Sequence, residues 1–345
     1  MSDYICVFDC ETIPDVEALA KILSEADLAE CYDEIPKSEN LFGDEIGANV
    51  VNNGKNLEFN DENSKHCGSK IADKKIDENS VNSDEKIKFW GEVKIYNDDR
   101  SKILNPLKLS KKAQALQKEK TESEFLPVCF HKVVCISAVM ADKFGNFMRV
   151  STLQGKNEKE KIAEFLKFIN SHNPRLVSFN GRGFDLPMIM VRAMKYNLDA
   201  NAYFETNDQI TNKNKWENYR SRYDGRFHLD LLDHISDFRA VSGLKLDYLC
   251  TALGLPGKYD VSGDQVLDLY YANKQEKIDE YCESDTLNTY WLFLKYELLR
   301  GNLQISDYAN YLTNMQKFLN EKCENMSYTA VFSKFIDNEI KRLDL

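Results

Sequence analysis

From about Glu276 to Arg300 the sequence reads as one helix, with Ile278, Cys282, Asp285, Thr289, Leu292, Tyr296 and Leu299 recurring at spacings of three and four along a buried stripe. Asp285 puts a carboxylate in the middle of that stripe. A buried carboxylate without a partner is costly, so it must be capped, paired or bound to a cation. Whatever fold the chain adopts has to bring complementary chemistry to this helix. Tyr281, four residues earlier, projects from the same side one turn away. On its own it reads as an ordinary core tyrosine.

Two other segments also deliver acids from apolar elements. Residues 4 to 9, Tyr-Ile-Cys-Val-Phe-Asp, form a short buried strand ending in Asp9, and an extended backbone turns Asp9 and Glu11 to the same face. The segment LVSFNGRGFD runs from an apolar strand through Asn180-Gly181-Arg182-Gly183 to Asp185, an acid at a strand-to-helix junction where α/β folds commonly bind ligands. Singly, each has a plain structural explanation. Asp-x-Glu spacing recurs at Asp15 and Glu17, and Asp185 can be a helix cap. Together the four acids are more demanding. Within roughly 5 Å, each pair would repel by about 3 kcal/mol at an effective dielectric of 20, so divalent cations or protons must neutralise them. Two metals would do so and would clamp a phosphoryl oxygen.

The remaining pattern gives the architecture. Residues 16 to 31 read as a helix, and Val128 to Met140 with Phe147 to Leu153 read as a hairpin. Asn157 caps a helix carrying Glu160, Ile162, Phe165, Leu166 and Ile169, which stops before Pro174. Arg175 to Phe179 is a further strand, a helix follows to about Tyr196, and from about His228 the chain is mainly helical. This order predicts an α/β fold, a mixed β-sheet flanked by α-helices, for which a ribonuclease-H-like arrangement fits. Residues 37 to 100 shift to Asn, Lys, Asp, Glu, Ser and Gly and read as a flexible insertion, with Phe89 and Trp90 marking its return to packed structure and Leu107 to Lys120 a polar helix. The expected organisation is a ribonuclease-H-like domain from 1–30 and 125–301, an acidic, Asn-rich insertion at 31–124 and a C-terminal helical extension at 302–345.

The net charge of −11 argues against a broad basic surface for duplex nucleic acid. Residues 31–100 hold 16 acidic against 10 basic residues, so more than half of that excess lies in the insertion. Nine scattered cysteines without a Cys-x-x-Cys pair read as reduced, mostly buried thiols rather than a disulfide framework or zinc site. No apolar run is long enough to span a bilayer, and the N-terminus lacks a secretory pattern, so the expected location is the cytoplasm with no membrane partner.

Asp9-Cys10-Glu11-Thr12, Asn180-x-x-x-Phe184-Asp185 and Tyr281-x-x-x-Asp285 resemble the three exonuclease motifs of the DEDD superfamily, in its tyrosine branch. The histidine branch would place His where this chain has Glu280. FDCETIPD, LVSFNGRGFDLPMI, HLDLLD, LDYLCTALGLPGK and YCESDTLNTYWLFL further resemble the predicted stand-alone exonucleases related to the proofreading domain of family-B DNA polymerases. The likeness covers residues 1 to about 15 and about 125 to 301. It implies a metal-dependent 3′–5′ exonuclease acting on single-stranded or frayed DNA by a two-metal mechanism with Mg2+ or Mn2+.

In that reading Asp9 bridges both metals, Glu11 and Asp285 complete the site of the attacking water, Asp185 serves the other metal, and Tyr281 orients the nucleophile. Thr12, Asn180, Arg182, Phe184 and Arg222 are the candidate substrate contacts, the last within an interleaved run of cations and aromatics from Tyr219 to His228. Alternatives left open are an exoribonuclease of the same superfamily, a catalytically inactive nucleic-acid-binding or interaction module, and a metal-dependent phosphatase. The helix bearing Tyr308, Tyr311, Leu312, Met315, Phe318 and Leu319 is expected to pack on its own domain rather than dock a protein partner.

Overall fold

The computed structural model describes residues 3–35, 95, 97, 101–258 and 262–343. The polar stretch from 37 to 100, including Phe89 and Trp90, lies outside the described residues apart from Ile95 and Asn97. The chain divides into two compact units, Met1–Tyr32 with Leu104–Leu345, and Asp33–Ile103. In chain order the elements begin with β1 (Tyr4–Pro14), α1 (Val16–Leu19), α2 (Glu25–Ala29), β2 (Tyr32–Glu34), β3 (Lys102–Leu104) and α3 (Pro106–Thr121). They continue with β4 (His131–Asp142), β5 (Phe147–Thr152), α4 (Glu158–His172), β6 (Arg175–Ser178), α5 (Asp185–Lys195), α6 (Asn201–Phe204) and β7 (His228–Asp230). The rest is α7 (Leu231–Ile235), α8 (Leu246–Leu253), α9 (Val266–Tyr271), α10 (Gln275–Leu299), α11 (Ile305–Lys322) and α12 (Ser327–Arg342). Among these helices none is long and apolar enough to cross a membrane.

The main sheet has the order β5-β4-β1-β6-β7. β1 runs antiparallel to β4, and β4 to β5, whereas β6 is parallel to β1 and β7 to β6. This antiparallel meander continued by parallel strands, with helices on both faces, is the ribonuclease-H-like α/β arrangement. Period-two alternation along β1 sorts its side chains between two cores. Ile5 and Val7 join Leu287, Trp291 and Leu312 of α10 and α11, while Cys6, Phe8 and Cys10 join Ile162, Phe165 and Ile189 of α4 and α5. The same alternation assigns Asp9 and Glu11 to the α10 side. Local signals set the ends of α4, where the Asn157 side chain accepts from the Glu160 backbone N–H at 3.0 Å and Asn173 closes the helix at φ 45°.

α10 is enclosed on all sides through its middle, from Tyr281 to Leu294. Its polar residues hold neighbouring elements. Glu283 accepts from the Thr152 backbone N–H at 2.8 Å and from Tyr328 Oη at 2.7 Å, joining β5 and α12. Trp291 donates to Tyr308 Oη at 2.8 Å, and Tyr308, Leu312, Met315 and Leu319 of α11 are buried in the same core, as expected of that helix.

Four local expectations are corrected. The stretch 16 to 31 breaks into two short helices because Asp15 and Ser24 each cap a separate start. β1 does not end at Asp9 but continues to Pro14, held by β4, with its register shifting between Glu11 and Thr12. His228–Asp230 is a strand, too short for periodicity to register. Leu299 leaves the buried stripe of α10 and is 82% exposed, because the helix runs past its core in the last turn.

Candidate active site

Pairing of β1 with β6 covers only Ile5 to Val7, so Asp9 and Glu11 lie beyond the last residue of β6 and one flank of β1 is open beside them. Asp185 enters there as the first residue of α5, and Asp285 and Tyr281 come from α10. Three distant segments therefore bring five expected residues together. Loss of hydration, then the charges of Asp185 and Asp285, pushes the Asp9 carboxyl well above the usual carboxylate range. Burial, then Asp9 and Asp285, does the same to Glu11. Asp185 is raised by burial, with Asp230 adding to the effect, to about 7. Burial also raises Asp285, opposed by Lys258 and Tyr281. Like charges crowded out of water hold protons when no cation is present, and an all-oxygen acidic set of this kind fits hard divalent cations.

Lys258 also reaches this cluster, a position that periodicity did not single out. Its Nζ donates to Tyr281 Oη at 2.6 Å and lies 3.8 Å from Asp285 Oδ2. The loop that carries it is fastened to α10, since Asn288 accepts from the Gly257 N–H at 3.0 Å and donates to the Gly257 carbonyl at 3.2 Å. Gly257 occupies the left-handed region at φ 62°, which suits a residue without a side chain. Burial, then the charges of Asp285, Glu11 and Asp9, lifts the Tyr281 phenol far above its ordinary range, so it stays protonated.

The loop before Asp185 is rigid for identifiable reasons. Asp230 accepts the backbone N–H groups of Asn180 and Arg182, both at 2.9 Å, while also capping α7. Asn180 takes a left-handed conformation at φ 68°, and a Cβ at Gly181 would run into the Ser178 side chain. Ser178 Oγ in turn bonds to His228 Nε2 at 2.8 Å, and burial holds that imidazole neutral.

The five candidate substrate contacts have different placements. Thr12 Oγ1 is 3.0 Å from Nδ1 of His131, whose Nε2 reaches the Leu126 carbonyl at 3.0 Å. Phe184 packs against His131 and the half-exposed Phe125, with centroids 4.9 and 4.8 Å apart, beside the acid that follows it. The Asn180 side-chain oxygen accepts from Arg239 at 2.5 Å. Arg182 is turned inward, donating to the carbonyls of Tyr219, Arg220 and Ser221 and to His228 Nδ1 at 3.1 to 3.3 Å. Arg222 forms a two-pronged pair with Asp233, both bonds 3.0 Å. The two arginines thus fasten loops, an occupation that residue type alone could not distinguish from substrate binding. Arg182→Ala is expected to destabilise the fold by about 2–4 kcal/mol, because it strands several buried acceptors. Urea denaturation checks this; unchanged stability with weakened oligonucleotide binding would return Arg182 to the substrate.

Residues 123–336 match the family described as a predicted 3′–5′ exonuclease related to the exonuclease domain of PolB. A DNA polymerase of Archaeoglobus fulgidus is 25% identical over 154 residues, 44% of this chain and 19% of that protein. A DNA polymerase of Methanocaldococcus jannaschii is 27% identical over 135 residues, 39% of this chain and 8% of that protein. The chain therefore spans less than a fifth of the length of either relative. The solved family B DNA polymerase of Pyrobaculum calidifontis superposes with a TM-score of 0.37 at 15% identity, covering 56% of this chain and 26% of that one.

Proposed function

We propose that this chain, which belongs to the family of predicted 3′–5′ exonucleases related to the exonuclease domain of PolB, removes nucleotides from the 3′ end of single-stranded or frayed DNA with two divalent cations, Mg2+ or Mn2+. The observation that carries this reading is the meeting of Asp9, Glu11, Asp185 and Asp285 beside Tyr281, with protons bound more tightly than any isolated carboxyl would hold them. Those four acids are the residues that would hold the cations. When bound, the cations supply charge for the phosphoryl oxygens and lower the pKa of water.

The protein's own contribution is orientation. Lys258 donates to the Tyr281 oxygen, so the phenolic proton is left to point elsewhere, toward Asp285 or a water. A phenol held this firmly protonated positions a nucleophile and is no base; the proton of an attacking water passes instead to a carboxylate or to solvent. The aromatic wall of Phe184 and Phe125, with the Thr12 hydroxyl behind it, stands next to the acids and suits the unstacked base of a frayed end.

Digestion of 5′-labelled single-stranded DNA and RNA of equal sequence, with Mg2+ or Mn2+ and with chelator, tests the proposal. A descending ladder on DNA that disappears on chelation is expected, and a ladder confined to RNA would favour the exoribonuclease alternative. Cleavage that survives full chelation would overturn the mechanism. Tyr281→Phe is expected to slow single-turnover cleavage about 10- to 100-fold. Lys258→Met should cost a similar factor, and the double variant little more than either single one, because the lysine acts through the phenol. Multiplicative losses in the double variant would separate their roles.

A further inference from the structure

Cys282 follows Tyr281 on α10 and is completely buried. Its sulfur lies 3.6 Å from the backbone oxygen of Asp9, and one ligand atom each from Asp9, Glu11 and Cys282 lie within 4.8 Å of one another. Among the described residues no hydrogen-bond donor reaches the Glu11 carboxylate. A soft sulfur and two oxygens therefore converge from two elements, with one of the acids free to take a ligand.

We propose that Asp9, Glu11 and Cys282 form a binding site for a thiophilic divalent cation, Zn2+ or Cd2+, which overlaps the site of the hard cations and switches the enzyme off. Zinc–sulfur bonds near 2.3 Å and zinc–oxygen bonds near 2.0–2.2 Å put ligand atoms about 3.5 Å apart in a tetrahedron. Ligand atoms no more than 4.8 Å apart need a closure of at most about 1.3 Å, and Glu11 can contribute to it, being a long side chain next to the register shift between Glu11 and Thr12.

Mg2+ and Mn2+ prefer oxygen and leave the thiol protonated, whereas a thiophilic ion also replaces the S–H proton, which goes to solvent with those that Asp9 and Glu11 hold in the metal-free protein. Because Asp9 and Glu11 serve both kinds of ion, occupation by one excludes the other. Binding stands on this geometry alone; its inhibitory consequence rests on the nuclease reading of the same acids.

The test titrates Cd2+ into metal-free protein and follows the ultraviolet sulfur-to-cadmium charge-transfer absorption, which needs no turnover. A band saturating at one equivalent is expected, shifted to higher Cd2+ by excess Mg2+ and lost in Cys282→Ser. Asp9→Asn and Glu11→Gln should each weaken it on the order of tenfold while keeping the thiol. In digestion assays with Mg2+, the Zn2+ concentration that halves each protein's own rate should rise about tenfold in Cys282→Ser.

The same band in Cys282→Ser, or a wild-type titration indifferent to Mg2+, overturns the site and leaves the nuclease reading standing. The Mg2+ competition uses only wild type, so it decides the matter even if Cys282→Ser fails to fold. A wild type that shows the band but digests no nucleic acid overturns the nuclease reading and leaves the metal site.

Discussion

Asp9→Asn should lower the single-turnover rate on a 5′-labelled oligonucleotide by roughly 1,000-fold or more while leaving the protein folded. Each of the other acids bears on this one: Asp185 and Asp285 raise its proton affinity, and Asp9 is the foremost charge raising that of Glu11. Asp9 is thus the electrostatic centre of the cluster. The amide keeps the volume and the β1 register but removes the charge that a second cation would share. A melting temperature at or above the wild-type value, together with lost activity, is the expected pair of results. Wild-type rates in a well-folded Asp9→Asn would show that these acids do not form the reaction centre.

Asp285 was legible as a candidate because it interrupts an apolar stripe, whereas Asp9, Glu11 and Asp185, each with a plain structural explanation, stood out only as a set with it. Asp9 terminates the run Tyr4–Phe8, Asp185 follows a strand and a glycine-bearing turn, and Asp285 breaks the apolar face of a helix that the fold buries on every side. A charge at a core position is a large local exception, so a single sequence exposes it. Lys258 interrupts nothing. It lies in a loop, and its position comes from a tertiary clamp between Asn288 and the Gly257 peptide.

Arg182 and Arg222 show the converse limit. An exposed-looking run of arginines and tyrosines reads as a strand-binding surface, yet three carbonyls and a buried imidazole take up Arg182, and Asp233 takes up Arg222. Side-chain chemistry is local, but which acceptor it meets depends on a loop 37 to 39 residues away in sequence for the Tyr219 and Ser221 carbonyls. The order of strands and helices was recoverable from alternation and spacing. Short pieces such as β7 were not, since three residues cannot display a period.

Metal-free protein is expected to lose stability as the pH rises from about 4 through 7, and divalent cations to restore it mainly at the upper end. Asp185 moves from an ordinary 3.8 to about 7 on folding, so the native state binds its proton more tightly than the unfolded chain. That contribution is complete below about pH 4 and is lost as the pH passes about 7. Asp9, Glu11 and Asp285 shift in the same direction. At about 1.4 kcal/mol per tenfold change in proton affinity, the Asp185 carboxylate alone costs on the order of 4 kcal/mol at pH 8. Acids paired with arginine act oppositely: Glu339, its carboxyl held at about 2, loses stabilisation only in strong acid, and the imidazoles of His131, His228 and His234, kept neutral by burial, lose theirs as the pH falls below the usual histidine range, a contribution that cancels when two proteins are compared at one pH. Asp185→Asn removes the charge without emptying its space. In chelator it should therefore melt several degrees above wild type at pH 8 and close to it at pH 5. Mg2+ or Mn2+ should raise the wild-type melting temperature more at pH 8 than at pH 5, since cations bind the ionised carboxylates and compete with protons below that. A chelated Asp185→Asn no more stable than wild type at pH 8 would mean that burial does not hold the Asp185 proton in solution and that this acid does not need a cation.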